Sequence, residues 1–213
     1  MTDDRFADRA EAGRRLLARL PSLDPGATVV IALPRGGVPV AQPIAAALGV
    51  PLDVVQVRKV GLPGHRELAV AAVTDGAAPA LAINTGIARR AGLSEADIRA
   101  LAEPELAEID RRRRLWHGAR PPVPLRGKTV VVVDDGIATG ATMRAALDRL
   151  RAEGAARLIL AVPVAAADTL ADLAPRVDAV VCLATPEPFH AVGAHYADFR
   201  QVTDAEVAAA LSV

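Results

Sequence analysis

The chain has 213 residues, 52% of them hydrophobic, with 25 basic and 25 acidic side chains and a formal charge of zero. That length and apolar content suit one globular domain with a small annex, and the charge balance excludes a general nucleic-acid footprint. No apolar run reaches membrane-span length, and the start Met1, Thr2, Asp3, Asp4, Arg5 lacks a basic segment followed by an apolar core, so no membrane association and a cytoplasmic address are expected.

Along the chain, helix-like and strand-like stretches alternate. Residues 6–20 read as an amphipathic helix, 28–33 as a strand, 38–48 as a helix closed by Gly49, and 53–57 as a second strand. Residues 61–126 are the least regular. There Ser94, Glu95, Ala96 and Asp97 open one helix, and Pro104 starts another that runs to about Trp116. Its basic end, Arg111 to Arg114, reads as a solvated helix terminus, because cations favour that end and four consecutive side chains point in all directions. Residues 130–133 form a strand, 141–153 a helix, 157–162 a strand, 166–174 a helix and 178–183 a strand. Thr203 and Glu206 then make a capping box for a last helix to Leu211. The alternation predicts an α/β fold, a doubly wound parallel sheet, as a single domain over 1–213 with a helical hood annex at about 84–120. Cys182 is the only cysteine, so no disulfide forms within the chain, and its apolar neighbours predict a buried inert thiol.

The chemistry concentrates after the strand Val130, Val131, Val132, Val133. Four branched apolar residues suit a parallel strand buried on both faces, and such sheets bind ligands where loops leave the carboxyl ends of their strands. Asp134 and Asp135 stand at that end. Gly136 and Gly140 let the backbone turn closely, and the N–H groups from Thr139 to Thr142 open a helix whose positive end attracts phosphate. Two adjacent carboxylates would repel a phosphate but suit a neighbouring diol. A second anion site follows the first strand at Leu33, Pro34, Arg35, Gly36, Gly37: two glycines expose N–H groups ahead of a helix, and Arg35 adds a forked cation.

The stretch Asp134, Asp135, Gly136, Ile137, Ala138, Thr139, Gly140, Ala141, Thr142 resembles the phosphoribosyl pyrophosphate (PRPP) loop of type I phosphoribosyltransferases. The resemblance implies that Asp134 and Asp135 hold the ribose hydroxyls and that Gly136, Ala138, Thr139, Gly140, Ala141 and Thr142 cradle the 5-phosphate. It also implies that Arg35, Gly36 and Gly37 form the pyrophosphate loop, with Arg58 and Lys59 touching pyrophosphate from the end of the second strand. Phe6 to Arg9, Leu33 to Val40 and Pro186 to Phe189 look like an incompletely characterised bacterial phosphoribosyltransferase-like group, a resemblance covering nearly the whole chain. Members commonly have glycine where Ala71 stands.

The implied activity is transfer of ribose 5-phosphate from PRPP to a small nitrogenous acceptor, with Mg2+ carried on the pyrophosphate and Asp134, Asp135, Lys59 and Arg35 as the catalytic set. A homodimer is left open. Enzymes for 6-oxopurines carry an aspartate where this chain has Ala138, and alanine cannot share a proton with a purine ring. Phe189 and Tyr196 are read as an acceptor-stacking pair, while Glu67 and His65 belong to a Gly- and Pro-rich loop, 61–68, that is a candidate for closing over the site. Two alternatives stand beside the transferase: a non-catalytic regulator that binds PRPP or a nucleotide, and a hydrolase or phosphorylase acting on a ribose phosphate.

Overall fold

The computed structural model describes residues 5–75 and 80–212, without the side chains of Arg66, Glu67 and Ala80. Its frame is a five-stranded parallel sheet made of β1 (Thr28–Ala32), β2 (Leu52–Val54), β6 (Thr129–Val133), β7 (Arg157–Val164) and β8 (Ala179–Ala184), in the order β2-β1-β6-β7-β8. The strand order reverses between β1 and β6, the place where open α/β sheets leave a crevice at their carboxyl ends.

Each face of the sheet takes alternate side chains of the same strands. Val131 and Val133 pack with Val30 and Ala32 under α1 (Arg9–Leu17), α2 (Gly37–Leu48) and α7 (Asp204–Ala210). Val130 and Val132 pack on the other face under α5 (Ala141–Ala152) and α6 (Ala167–Leu173), against Met143, Leu147, Leu150 and Leu173. All four valines of β6 are fully buried, as a strand covered by helices on both sides requires. The sheet is doubly wound, as its alternating segments predict.

Between β2 and β6 the structure departs from the sequence expectation. The segment expected as one strand ends at Val54, and the chain then enters a separate antiparallel sheet of β3 (Val57–Leu62), β4 (His65–Thr74) and β5 (Ala80–Ile83). Arg58 and Lys59 therefore stand near the start of β3. Residues 61–68 form a hairpin that turns at Pro63 and Gly64, with Gly64 at φ 79, in place of the loop that their Gly and Pro content predicts.

The annex is completed by α3 (Thr85–Arg90) and α4 (Glu95–His117), the latter a single 23-residue helix. Pro104 lies inside it and starts nothing. The Ser94–Asp97 capping box fixes its start, and Ile98, Ala102 and Ile109 bury one side against Val60, Val70 and Val73. That packing outweighs the N–H which proline cannot donate. Arg111 and Arg112 both reach Glu108 on the helix surface, in keeping with a solvated terminus.

Candidate functional site

Two loops leave adjacent strands at one level, because Ala32 and Val133 are partners in the β1–β6 register. The Leu33 N–H donates to the Val133 carbonyl at 2.8 Å and the Gly37 N–H to the Leu33 carbonyl at 3.0 Å, closing the first loop against the second. This is where the two glycines matter. A Cβ on Gly36 would lie 2.1 Å from Asp135 Oδ2, and one on Gly37 would lie 2.7 Å from the Val133 carbonyl oxygen. The first loop also contains a cis peptide between Pro34 and Arg35.

Past β6, the Asp134 carboxylate accepts the Asp135 N–H at 2.8 Å and borders an opening of about 180 Å3 shared with Gly136, Ala138, Thr139, Gly140, Ala141 and Thr142. Burial, with the negative charge of Asp135 beside it, pushes the Asp134 carboxyl well above the usual carboxylate range. Gly140 sits at φ 70, a left-handed turn that feeds α5. The Arg144 N–H donates to the Gly140 carbonyl at 2.8 Å, so the N–H groups of residues 141–143 lie in the first turn, where no intrahelical acceptor exists.

The loop is braced from outside. The Thr169 hydroxyl donates to the Ala138 carbonyl at 2.6 Å and the Arg144 guanidinium to the Thr139 carbonyl at 2.9 Å. A trans peptide points its C=O and N–H in opposite directions, so the N–H groups of Thr139 and Gly140 face away from both braces. Together with the start of α5 they give a concavity lined by backbone N–H donors, an arrangement suited to an anion.

Asp135 is placed differently from its neighbour. Its Oδ2 accepts both Nε and Nη2 of Arg9 at 2.8 Å, while Nη1 of Arg9 donates to the Arg200 carbonyl at 2.9 Å. The same guanidinium lies 3.9 Å from the centre of the Phe199 ring. Burial raises the Asp135 carboxyl, and Arg9 opposes that rise. The Tyr196 hydroxyl donates to the Asp135 carbonyl at 2.6 Å. Asp135 is thus tied through its carboxylate to α1 and through its carbonyl to the segment after β8.

The other expected residues are spread more widely. The Arg35 guanidinium lies 3.7 Å from Asp204 at the start of α7, which also accepts the Trp116 indole N–H at 3.2 Å. Arg58 pairs with Glu105 of α4, and Lys59 borders a groove of about 450 Å3 between the β3–β4 hairpin and α4. Tyr196 is buried between the rings of Phe6 and Phe199, with centroids at 5.4 and 5.1 Å, so the ring expected to stack on an acceptor is packed in the protein. Phe189 is half-buried against His195, 5.6 Å between centroids. Val192 crosses Gly136, where a Cβ would come within 2.5 Å of it, and is the residue of the 189–196 segment that borders the opening beside Asp134. Glu67 falls in β4 and its side chain is outside the described residues. Cys182 is partly buried, its thiol pushed up by burial and bonded to the Ala184 carbonyl.

Three residues escaped the sequence reading: Arg9, Arg144 and Thr169. Arg9 did carry a signal. It occupies the first position of α1, where the helix dipole disfavours a cation, so an arginine there points to a binding partner elsewhere.

The family model described as the phosphoribosyl transferase domain matches residues 7–189. Proteins from two strains of Mycobacterium tuberculosis, provisionally named phosphoribosyl transferases, are 46% identical over 206 residues. Those residues are 97% of this chain but 46% of each relative, so the chain spans about half their length. The crystal structure of TT1426 from Thermus thermophilus is similar at 42% identity, with a TM-score of 0.82 and 97% of both chains covered.

Proposed function

Because the chain belongs to the phosphoribosyl transferase domain family, we propose that it moves ribose 5-phosphate from PRPP to a small nitrogenous acceptor and releases pyrophosphate. The observation that carries this reading is the meeting of two glycine-containing anion loops at the strand-order reversal, with Asp134 between them and the start of α5.

The 5-phosphate would occupy the concavity of residues 138–142, and the ribose hydroxyls would bond to Asp134. Pyrophosphate would lie along Gly36 and Gly37. The bond from the sugar's anomeric carbon to pyrophosphate breaks with the electron pair leaving on pyrophosphate. The acceptor nitrogen supplies the pair for the new bond and loses its proton to solvent. No protein nucleophile is required, and positioning with charge stabilisation supplies the catalysis. Arg35 is available to the leaving group, since its pair with Asp204 is long and both side chains are more than a quarter exposed, which makes the pair weak. Asp134 Oδ1 is engaged by one N–H; Mg2+ would displace the proton that burial favours on this carboxyl, and the carboxylate is then a hard oxygen donor for an ion that keeps phosphate and water ligands. Bound there, Mg2+ would neutralise charge on the pyrophosphate.

Pyrophosphate release from PRPP across a panel of bases and amines tests the reading. Hypoxanthine and guanine are expected at the bottom of that panel, because Ala138 has no group to exchange a proton with an oxopurine. Efficient turnover of either would remove that assignment. Tight PRPP binding with no turnover on any acceptor would favour the regulator instead.

A further inference from the structure

We infer that Arg9 is a positioning residue for the ribose site, holding Asp135 against Gly36 so that the ribose-binding loop and the pyrophosphate loop keep one fixed separation; this rests on the PRPP reading above. Arg9 and Asp135 are 126 positions apart in sequence, and their side chains are about nine-tenths and six-sevenths buried. Two nitrogens of one guanidinium converge on a single carboxylate oxygen, and the third is taken by the Arg200 carbonyl. A planar fork that is filled on every edge and stacked on Phe199 has one orientation, and it gives Asp135 one as well. Oδ2 meanwhile occupies the space that a side chain on residue 36 would need. The carboxylate therefore works as a spacer between the loops, and Asp134 is the member of the pair that borders the opening.

Removing Arg9 leaves the Asp135 carboxylate without the fork that fixes it beside Gly36. The test uses the full chain with Arg9→Ala and Arg9→Lys. It combines calorimetry with Mg2+ and PRPP, ribose 5-phosphate or pyrophosphate, and amide NMR of Gly36 and Asp135 without ligand. Arg9→Ala is expected to bind PRPP and ribose 5-phosphate about tenfold more weakly, the worth of one charge-assisted contact, with pyrophosphate alone less affected and the Gly36 and Asp135 amide signals displaced. Arg9→Lys is expected to recover part of both the affinity and the wild-type signals. If Arg9→Ala does not fold, Arg9→Gln keeps the stem and gives the same readings. A folded variant with unchanged PRPP affinity and unchanged Gly36 and Asp135 signals would overturn the role, as would equal losses for all three ligands. A wild-type protein that fails to bind PRPP would overturn the transferase reading, and the ligand-free spectra would still decide whether Arg9 fixes Asp135 beside Gly36.

Discussion

Adjacent aspartates that look equivalent in the sequence have different duties once folded. Asp135 is one half of a largely enclosed ion pair, with side chains 14% and 10% exposed for Asp135 and Arg9. Neutralising it leaves a buried guanidinium without its anion, a change that costs about 3 kcal/mol or more. Among the described residues Asp134 has no cationic partner of that kind, and burial already favours its protonated form. Asp134→Asn should therefore fold normally and lose about 1.5–3 kcal/mol of PRPP binding. Asp135→Asn should lose stability as well, visible in a denaturant midpoint. The two variants behaving alike in both measurements would contradict this division. A second buried acid lies outside the site. Asp75, ordinarily titrating near 3.8, is pushed up to about 7 by burial, with Arg149 opposing and Asp53 and Glu153 adding to the rise. Its raised value means that its contribution to stability is full below pH 3.8 and is lost as pH climbs through 7. Asp75→Asn keeps an acceptor for the Gln56 N–H. The variant should match the wild type near pH 4 and exceed it by on the order of 4 kcal/mol at pH 8. A gain that does not grow with pH would show that Asp75 is not the group responsible.

At the scale of elements, what the sequence disclosed follows how local the determinants are. The strand β6, its acidic pair and the turn into α5 sit within thirteen consecutive residues, so side-chain type and spacing were enough to place the opening. The strand β1 and the Gly36–Gly37 turn were legible for the same reason. The annex was not. Its antiparallel strands lie beside a long helix and bury Val60, Val70 and Val73 through partners drawn from residues 88–109, a pairing that no window of a dozen residues contains. Gly61, Pro63 and Gly64 advertise a turn equally well whether it belongs to a loop or to a hairpin. Pro104 is the sharpest case. Proline at that spacing reads as a helix start, and only the continuous burial of Ile98, Ala102 and Ile109 shows one helix running through it. Tyr196 likewise looked available for stacking because its two ring neighbours include Phe6, from the opposite end of the chain.

Across the whole molecule, the segments around Phe6 and Tyr196 meet at the site. The Phe6 N–H donates to the His195 carbonyl at 2.9 Å and the Ala197 N–H to the Phe6 carbonyl at 2.8 Å, joining the segment before α1 to the one after β8. That seam carries Arg9 to Asp135 and Tyr196 to the same residue, while Arg35 and Trp116 converge on α7. Site formation is then inseparable from closure of the fold, and a ligand spanning both loops should stabilise the whole chain. At a hundred times its dissociation constant a ligand of the folded state adds about 2.7 kcal/mol. For a chain of this size that corresponds to a rise in Tm of roughly 5–10 °C. PRPP with Mg2+ is expected to give that rise, and pyrophosphate or ribose 5-phosphate alone should each give part of it, since the proposed site assigns each to one loop. Arg35 stands in the loop assigned to pyrophosphate, so Arg35→Ala should erase more of the pyrophosphate shift than of the ribose 5-phosphate shift. Parallel scans of the two ligands on the wild type and on Arg35→Ala check this. Equal erosion of both shifts would mean that Arg35 acts through Asp204 and α7, as part of the seam, and that the anion held by the first loop is bound by its backbone alone.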